Sequence, residues 1–146
     1  MKKQAVKVSE RDAYDELCNY TFEHARVHGS FIHQHVVDAY AAQHADRKTK
    51  PITLVFALIG LYLYVERGYS GKQVQRLHMA MGRSRANWPS IVVPAHRGSI
   101  TVVDVLAASP GSERDRAIAA WCKSVWEAFS VNRLAIAELL VCYGVG

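Results

Sequence analysis

The sequence predicts an all-α fold, a compact bundle of four main helices with a short extra helix and one long loop. Three observations predict it: apolar residues recur at helical spacing, capping residues stand where these patterns begin, and glycines stand where several of them end. A chain of 146 residues can bury one hydrophobic core without disulfides. We therefore expect a single helical domain over residues 1–146.

The first two helices are expected over about residues 10–27 and 31–45. Ser9 is a suitable N-cap for the first helix and Ser30 for the second, because a side-chain oxygen there accepts a hydrogen bond from the first helical turn. A charged loop follows at residues 46–50. The second helix carries most of the side chains that favour chemistry.

The third predicted helix, residues 52–65, is apolar on nearly every side and should lie at the centre of the bundle. Gly60 lies within it, where glycine costs about 1 kcal/mol relative to alanine, so we expect a neighbouring helix to approach closely there. A fourth helix is expected over residues 71–81, capped by Ser70, and its apolar stripe includes His78. His78 should therefore face the core.

The chain becomes irregular over residues 83–99. A connection of this length is often a lid or a binding loop. A short helix capped by Thr101 should follow, and a last helix should run from residue 112 with a kink near residues 130–132. Its end is apolar on several sides, which predicts either deep packing or contact with a second copy through the C-terminal helix.

The composition is that of an ordinary soluble globular protein, with 50% hydrophobic and 21% charged residues. The start of the chain lacks the apolar run of a signal peptide, and residues 52–65 are too few to span a membrane. Three scattered cysteines without a Cys-x-x-Cys pair favour a cytoplasmic location. The formal charge of +5 comes from short basic patches, for which solvated loops are favoured over nucleic-acid binding.

Residues 31–40 (FIHQHVVDAY) hold the most unusual mixture of apolar and metal-competent side chains. At about 100° per residue, His35 and Asp38 share one side of the helix, and His33 lies with the apolar residues. His35 and Asp38 could ligate one divalent ion, Zn, Fe or Mn, and His78 from another helix is the best candidate for a third ligand. The weaker candidates are Cys18, His33, His24 and Glu66. The favoured function is a small protein that binds a divalent metal, and whether it catalyses a reaction on a small molecule stays open.

Three alternatives need no metal. His35 with Asp38 forms the base-and-orienter half of a nucleophilic triad, for which Cys18 or a serine would have to serve as the nucleophile. The cluster can instead be structural, with Asp38 fixing the tautomer of His35. The protein would then be a non-catalytic ligand-binding or protein-interaction module that uses residues 83–99 and the apolar C-terminus, where it would form a homodimer.

The chain resembles an uncharacterised bacterial family that is classed as a domain of unknown function. The likeness begins at residues 31–40 and covers nearly the whole chain, through residues 56–63 (FALIGLYL), 68–75 (GYSGKQVQ), 98–106 (GSITVVDVL) and 121–126 (WCKSVW). The resemblance implies a free-standing domain and no known activity. A looser likeness, in architecture alone, is to DinB-like metal-binding four-helix bundles, which place histidines from separate helices around a divalent ion.

Overall fold

The chain folds into helices in the computed structural model, which describes residues 9–23, 32–83 and 87–145. No strand occurs in these three ranges. A 3-10 turn, Ser130–Asn132, separates the last two helices. The α-helices are, in chain order, α1 (Glu10–Glu23), α2 (His33–Gln43), α3 (Pro51–Arg67), α4 (Gly71–Gly82), α5 (Val102–Ala107), α6 (Ser112–Ala128) and α7 (Arg133–Val141).

The predicted all-α class is confirmed, but the main helices are more numerous than the predicted four. Six helices in the described ranges have nine residues or more. The predicted short helix is α5, with six residues. The last turn expected for the first helix, beyond residue 23, lies outside the described residues, as does Ser30.

The clearest difference lies at the C-terminus, where the sequence predicts one kinked helix and the structure has two. Asn132, at the end of the intervening turn, is buried. Its side-chain amide nitrogen donates to the Phe129 carbonyl at 3.1 Å. The Asn132 backbone amide donates to the same carbonyl at 2.9 Å. A carbonyl at the end of a helix needs partners once the helix stops, and Asn132 supplies two of them where the chain turns between α6 and α7.

Helix α3 is central, as the sequence predicts. It contacts α2, α4, α6 and α7, and nine of its 17 residues are buried, which explains why it has no polar face. No helix in the described part of the chain is long and apolar enough to cross a membrane.

Reciprocal caps fix the predicted starts of α4 and α5. The Ser70 hydroxyl accepts from the Gln73 amide at 3.2 Å, and the Gln73 side chain accepts from the Ser70 amide at 2.8 Å. Thr101 and Asp104 form the same arrangement at α5. The cap at Thr101 therefore sets the point at which the long irregular segment ends.

Candidate functional site

Asp38 is buried where α2 crosses α3. Only 3% of its surface is exposed, and its Oδ1 accepts from the Gln34 amide nitrogen at 3.0 Å. Its Oδ2 has no hydrogen-bond partner among the described residues and lies against Gly60, where an added Cβ would be 1.8 Å away. The predicted close approach at Gly60 is thus confirmed. Burial raises the pKa of Asp38 well above its usual range, so the neutral acid is favoured.

His35 lies one helical turn before Asp38 and is equally buried. Its ring stacks on Tyr64 with the centroids 3.6 Å apart. Burial lowers the pKa of His35 to about 4, which leaves the ring neutral at neutral pH. Its Nδ1 has no hydrogen-bond partner in the described part of the structure, so Asp38 does not fix the tautomer of His35 through that nitrogen.

The predicted third ligand, His78, faces inward but does not join this pair. Its Nε2 lies 2.8 Å from the Phe56 carbonyl, which can only accept, so this nitrogen is the donor. The ring also stacks on Phe56, with the centroids 4.8 Å apart. Burial lowers the pKa of His78 to about 4. His78 therefore packs one helical turn of α3 away from Gly60 and Asp38.

Two of the weaker candidates have hydrogen-bond partners that are not metal ligands. His33 is bonded through Nδ1 to the Thr21 hydroxyl at 2.9 Å. The Glu66 carboxylate accepts from the Trp126 indole at 2.7 Å and from the Arg133 guanidinium at 2.8 Å. Burial raises the pKa of Cys18, which keeps it a thiol. His24 lies outside the described residues.

No group of three or more His, Cys, Asp or Glu side chains in the described part of the chain is placed to hold a metal ion. His35 and Asp38 share a side of α2, as the sequence predicts, but no third His, Cys, Asp or Glu side chain among the described residues completes a metal-binding group with them. The predicted metal site therefore stays a prediction.

The long irregular segment, residues 87–101, is held in place by side chains from elsewhere in the fold. Asn132 pairs with Val92 through two hydrogen bonds, as a neighbouring strand would. Its Oδ1 accepts from the Val92 amide at 2.8 Å, and its Nδ2 donates to the Val92 carbonyl at 2.9 Å. Asn132 is only 3% exposed, whereas Val92 is 60% exposed, so a buried side chain holds an exposed stretch of backbone.

A second anchor joins the segment to the end of α2. The Arg97 guanidinium donates to the carbonyls of Gln43, Ala45 and Pro94. The Gln43 side chain in turn donates to the Arg97 carbonyl at 3.2 Å and to the Ile100 carbonyl at 2.7 Å. Its Oε1 accepts from the Trp121 indole at 2.9 Å. The segment is therefore fixed in its middle part at Val92 and again toward its end at Arg97 and Ile100.

A cleft of about 360 Å³ opens between this segment and the start of α3. We call it the Trp88 cleft. Among the described residues its lining is mostly apolar, with three polar residues beside six apolar ones: Pro51, Leu54, Trp88, Pro89, Ile91 and Val93, with Asp46, Thr49 and Ser90.

The wall of the Trp88 cleft is supported from behind by an aromatic row. Phe56 meets the Trp88 ring edge-on, with the centroids 5.4 Å apart and the planes at 87°. The other neighbour of Phe56 in the row is His78, stacked on it. The side chain that the sequence suggests as a metal ligand thus supports the wall of a cleft.

A second cleft, of about 520 Å³, adjoins the first. We call it the Arg97 cleft. The two clefts have Asp46 and Val93 in common. The rest of the lining of the Arg97 cleft carries two cations: Ala45, Arg47, Pro94, Ala95 and Arg97.

Sequence reasoning points to this segment as a binding loop but misses the residues that hold it. Gln43 closes α2 without any distinctive pattern, and Asn132 is interpretable only as a kink. The sequence therefore offers no clear signal for either residue, because their partners are distant in the chain.

The predicted C-terminal interface has a partly exposed apolar surface. Leu134 is 67% exposed and Val141 is 62% exposed, whereas Leu139 is partly buried. Both exposed residues lie on α7, seven positions apart and so on one side of the helix. The homodimer stays a prediction.

Comparison with known proteins gives a family and no activity. No curated protein matches the chain, and no solved structure matches it. A family model matches residues 11–130, most of the chain, including α2, the Trp88 cleft and the Arg97 cleft. The chain therefore belongs to DUF5946, a family of unknown function.

Proposed function

We propose that this chain binds a small apolar molecule in the Trp88 cleft, and that the His35–Asp38 pair stabilises the fold. The observation that carries the proposal is the anchoring of the irregular segment above the cleft by Asn132 and Arg97. Ordering an irregular backbone costs about 1–2 kcal/mol per residue. Buried side chains that offset this cost leave the cleft already formed.

A formed cleft favours binding because the ligand does not have to order the loop that receives it. The lining also suits an apolar guest. An indole ring, two prolines and aliphatic side chains make up most of the lining, beside three polar residues. Ligand pockets commonly combine a mostly apolar lining with a few polar groups that fix orientation.

The assignment of a structural role to His35 and Asp38 is supported by their surroundings. Both are almost fully buried, and each packs against a specific group on α3: Tyr64 under His35 and Gly60 under Asp38. Desolvation disfavours the charged form of each side chain. Two neutral and tightly packed side chains favour a role in helix packing over a role in catalysis at a solvent-accessible site.

The proposal is tested by calorimetric titration with three neutral probes: indole, benzyl alcohol and 3-phenylpropanamide. The wild-type protein should bind at least one of them. Ile91→Trp places a large ring in the cleft and should weaken binding at least tenfold. Leu134→Trp adds the same ring on an exposed part of α7 and should leave binding unchanged. The absence of binding by all three probes, or equal affinity in Ile91→Trp, would overturn the proposal.

A divalent cation at His35 and Asp38 is the second candidate, favoured by one observation. His35 Nδ1 and Asp38 Oδ2 are buried without hydrogen-bond partners in the described part of the chain, and buried polar atoms normally have them. Elemental analysis after growth with Zn, Fe and Mn should then give a stoichiometric metal. His35→Phe should lose it and His96→Phe, at an exposed position, should retain it. A metal-free protein would contradict this candidate.

A further inference from the structure

We infer that the ligand is an amphipathic anion, with its apolar body in the Trp88 cleft and a carboxylate in the Arg97 cleft. The inference rests on the proposed function, because it names the class of molecule for the same site. Two observations support it: the two clefts are adjacent, and backbone carbonyls orient the Arg97 guanidinium.

The two clefts adjoin each other, since Asp46 and Val93 line both of them. A ligand that fills the first and is long enough to pass these two side chains would reach the second. Among the described residues, the lining of the first cleft has no cation, whereas that of the second has Arg47 and Arg97. An apolar body with a charged end matches this difference between the two clefts.

Arg97 is oriented by backbone carbonyls and keeps part of its donor capacity. A guanidinium has five N–H groups. The one on Nε donates to the Pro94 carbonyl, and the two on Nη1 donate to the carbonyls of Gln43 and Ala45. Both N–H groups of Nη2 are left without an acceptor among the described residues. A rigid guanidinium with two available donors is well suited to a carboxylate.

The charge of Arg97 is also uncompensated by its bonding partners. All three are neutral carbonyls, and the described residues place no carboxylate in an ion pair with it. Arg47, which is exposed, adds a second cation at the same cleft. An anionic guest would therefore balance a charge that the described residues leave unpaired.

Asp46 opposes an anion but is partly engaged within its own turn. Its Oδ1 accepts from the Lys48 amide at 2.8 Å and from the Thr49 hydroxyl at 3.3 Å. These two bonds offset part of the negative charge of the Asp46 carboxylate within the turn. The remaining balance at the Arg97 cleft is two arginines against one aspartate, which favours an anion over a cation.

The test compares 3-phenylpropionate with its neutral isostere, 3-phenylpropanamide, by calorimetry at low and high salt. The acid should bind about tenfold more tightly, the difference that one charge-assisted hydrogen bond supplies. This preference should decline at high salt because the site is open to solvent. Arg47→Gln should reduce it severalfold, whereas Lys123→Gln, the same charge change on an exposed part of α6, should leave it unchanged.

Arg97→Gln should abolish the preference, and amide binding by the same variant reports whether the cleft is intact. Equal affinity of acid and amide for the wild-type protein would overturn the inference while leaving the proposed function in place. A preference that survives both Arg47→Gln and Arg97→Gln would also overturn it. If neither compound binds, and indole and benzyl alcohol do not either, the proposed function fails as well.

Discussion

Asp38 Oδ2 occupies the space in which a side chain on residue 60 would begin, 1.8 Å from the position of an added Cβ. The glycine lies in the middle of the central helix, where it carries a conformational cost of about 1 kcal/mol. That cost is offset because α2 can then lie close to α3 and bury an acid that no larger residue would admit. A glycine inside a helix and a buried acid, each unusual alone, therefore explain each other.

Gly60→Ala should therefore destabilise the protein by about 1–3 kcal/mol, the usual cost of overpacking a core. Gly82→Ala is the matched control, because an added Cβ there meets nothing within 4 Å. Chemical denaturation measures both free energies of unfolding. In an Asp38→Ala background, Gly60→Ala should cost much less, since the clashing oxygen is gone. Additive costs in the double variant would show that Asp38 and Gly60 are not coupled.

The burial of His35 should make stability fall in acid. Its pKa is lowered from 6.5 to about 4 in the folded protein, so the unfolded chain binds more protons between these values. The contribution of neutral His35 to stability is complete above pH 6.5 and is lost as the pH falls toward 4. His35→Phe keeps a ring against Tyr64 and cannot titrate. The free energy of unfolding of the variant, relative to that of the wild type, should be about 2–3 kcal/mol higher at pH 4.5 than at pH 7. A difference between the two proteins that does not change with pH would contradict this.

Asp38 should have the opposite pH dependence. Its pKa is raised above the usual 3.8 by burial, so the folded protein holds a proton that the unfolded chain releases as the pH rises. The contribution of Asp38 to stability is complete below pH 3.8 and is lost as the pH rises through its pKa in the folded protein. Asp38→Asn is neutral at every pH and should become progressively more stable, relative to wild type, from pH 4 to 8. A constant difference would mean that Asp38 is ionised in the folded state.

Removal of the Asn132 anchor should loosen the loop and the cleft together. Asn132→Ala leaves the Val92 amide and carbonyl without their partners, which should cost about 1–3 kcal/mol. Asn132→Asp keeps an acceptor for the Val92 amide and loses the donor. Hydrogen exchange should show faster exchange of the Val92 amide in Asn132→Ala than in Asn132→Asp. Equally slow exchange in both variants would show that another contact orders the segment.

Much of the fold follows from local patterns in the sequence. Helical spacing, the caps at Ser70 and Thr101, and the all-apolar run of α3 depend on neighbouring residues, which the sequence displays directly. Gly60 is informative for the same reason, because its cost inside a helix implies a compensating contact. The all-α class and the central position of α3 are predictable on this basis.

The site is less predictable because its partners are distant in the chain. His35 and Asp38 share a helix, so their common side can be predicted. The position of His78 depends on how α4 meets α3, and it reaches the Phe56 carbonyl, one helical turn of about 5 Å from Gly60. The loop anchors are harder still, since Asn132 and Val92 are 40 residues apart.

The most direct test of ligand binding beneath the long loop is chemical-shift mapping of isotope-labelled protein with 3-phenylpropionate. Saturable shifts should occur at the Trp88 indole N–H, at the amides of Ile91 and Val93, and at the Arg97 guanidinium. Ile91→Trp should raise the concentration needed to saturate them at least tenfold, and Leu134→Trp should not. The absence of saturable shifts, or shifts confined to His35, Asp38 and Tyr64, would contradict ligand binding in the Trp88 cleft.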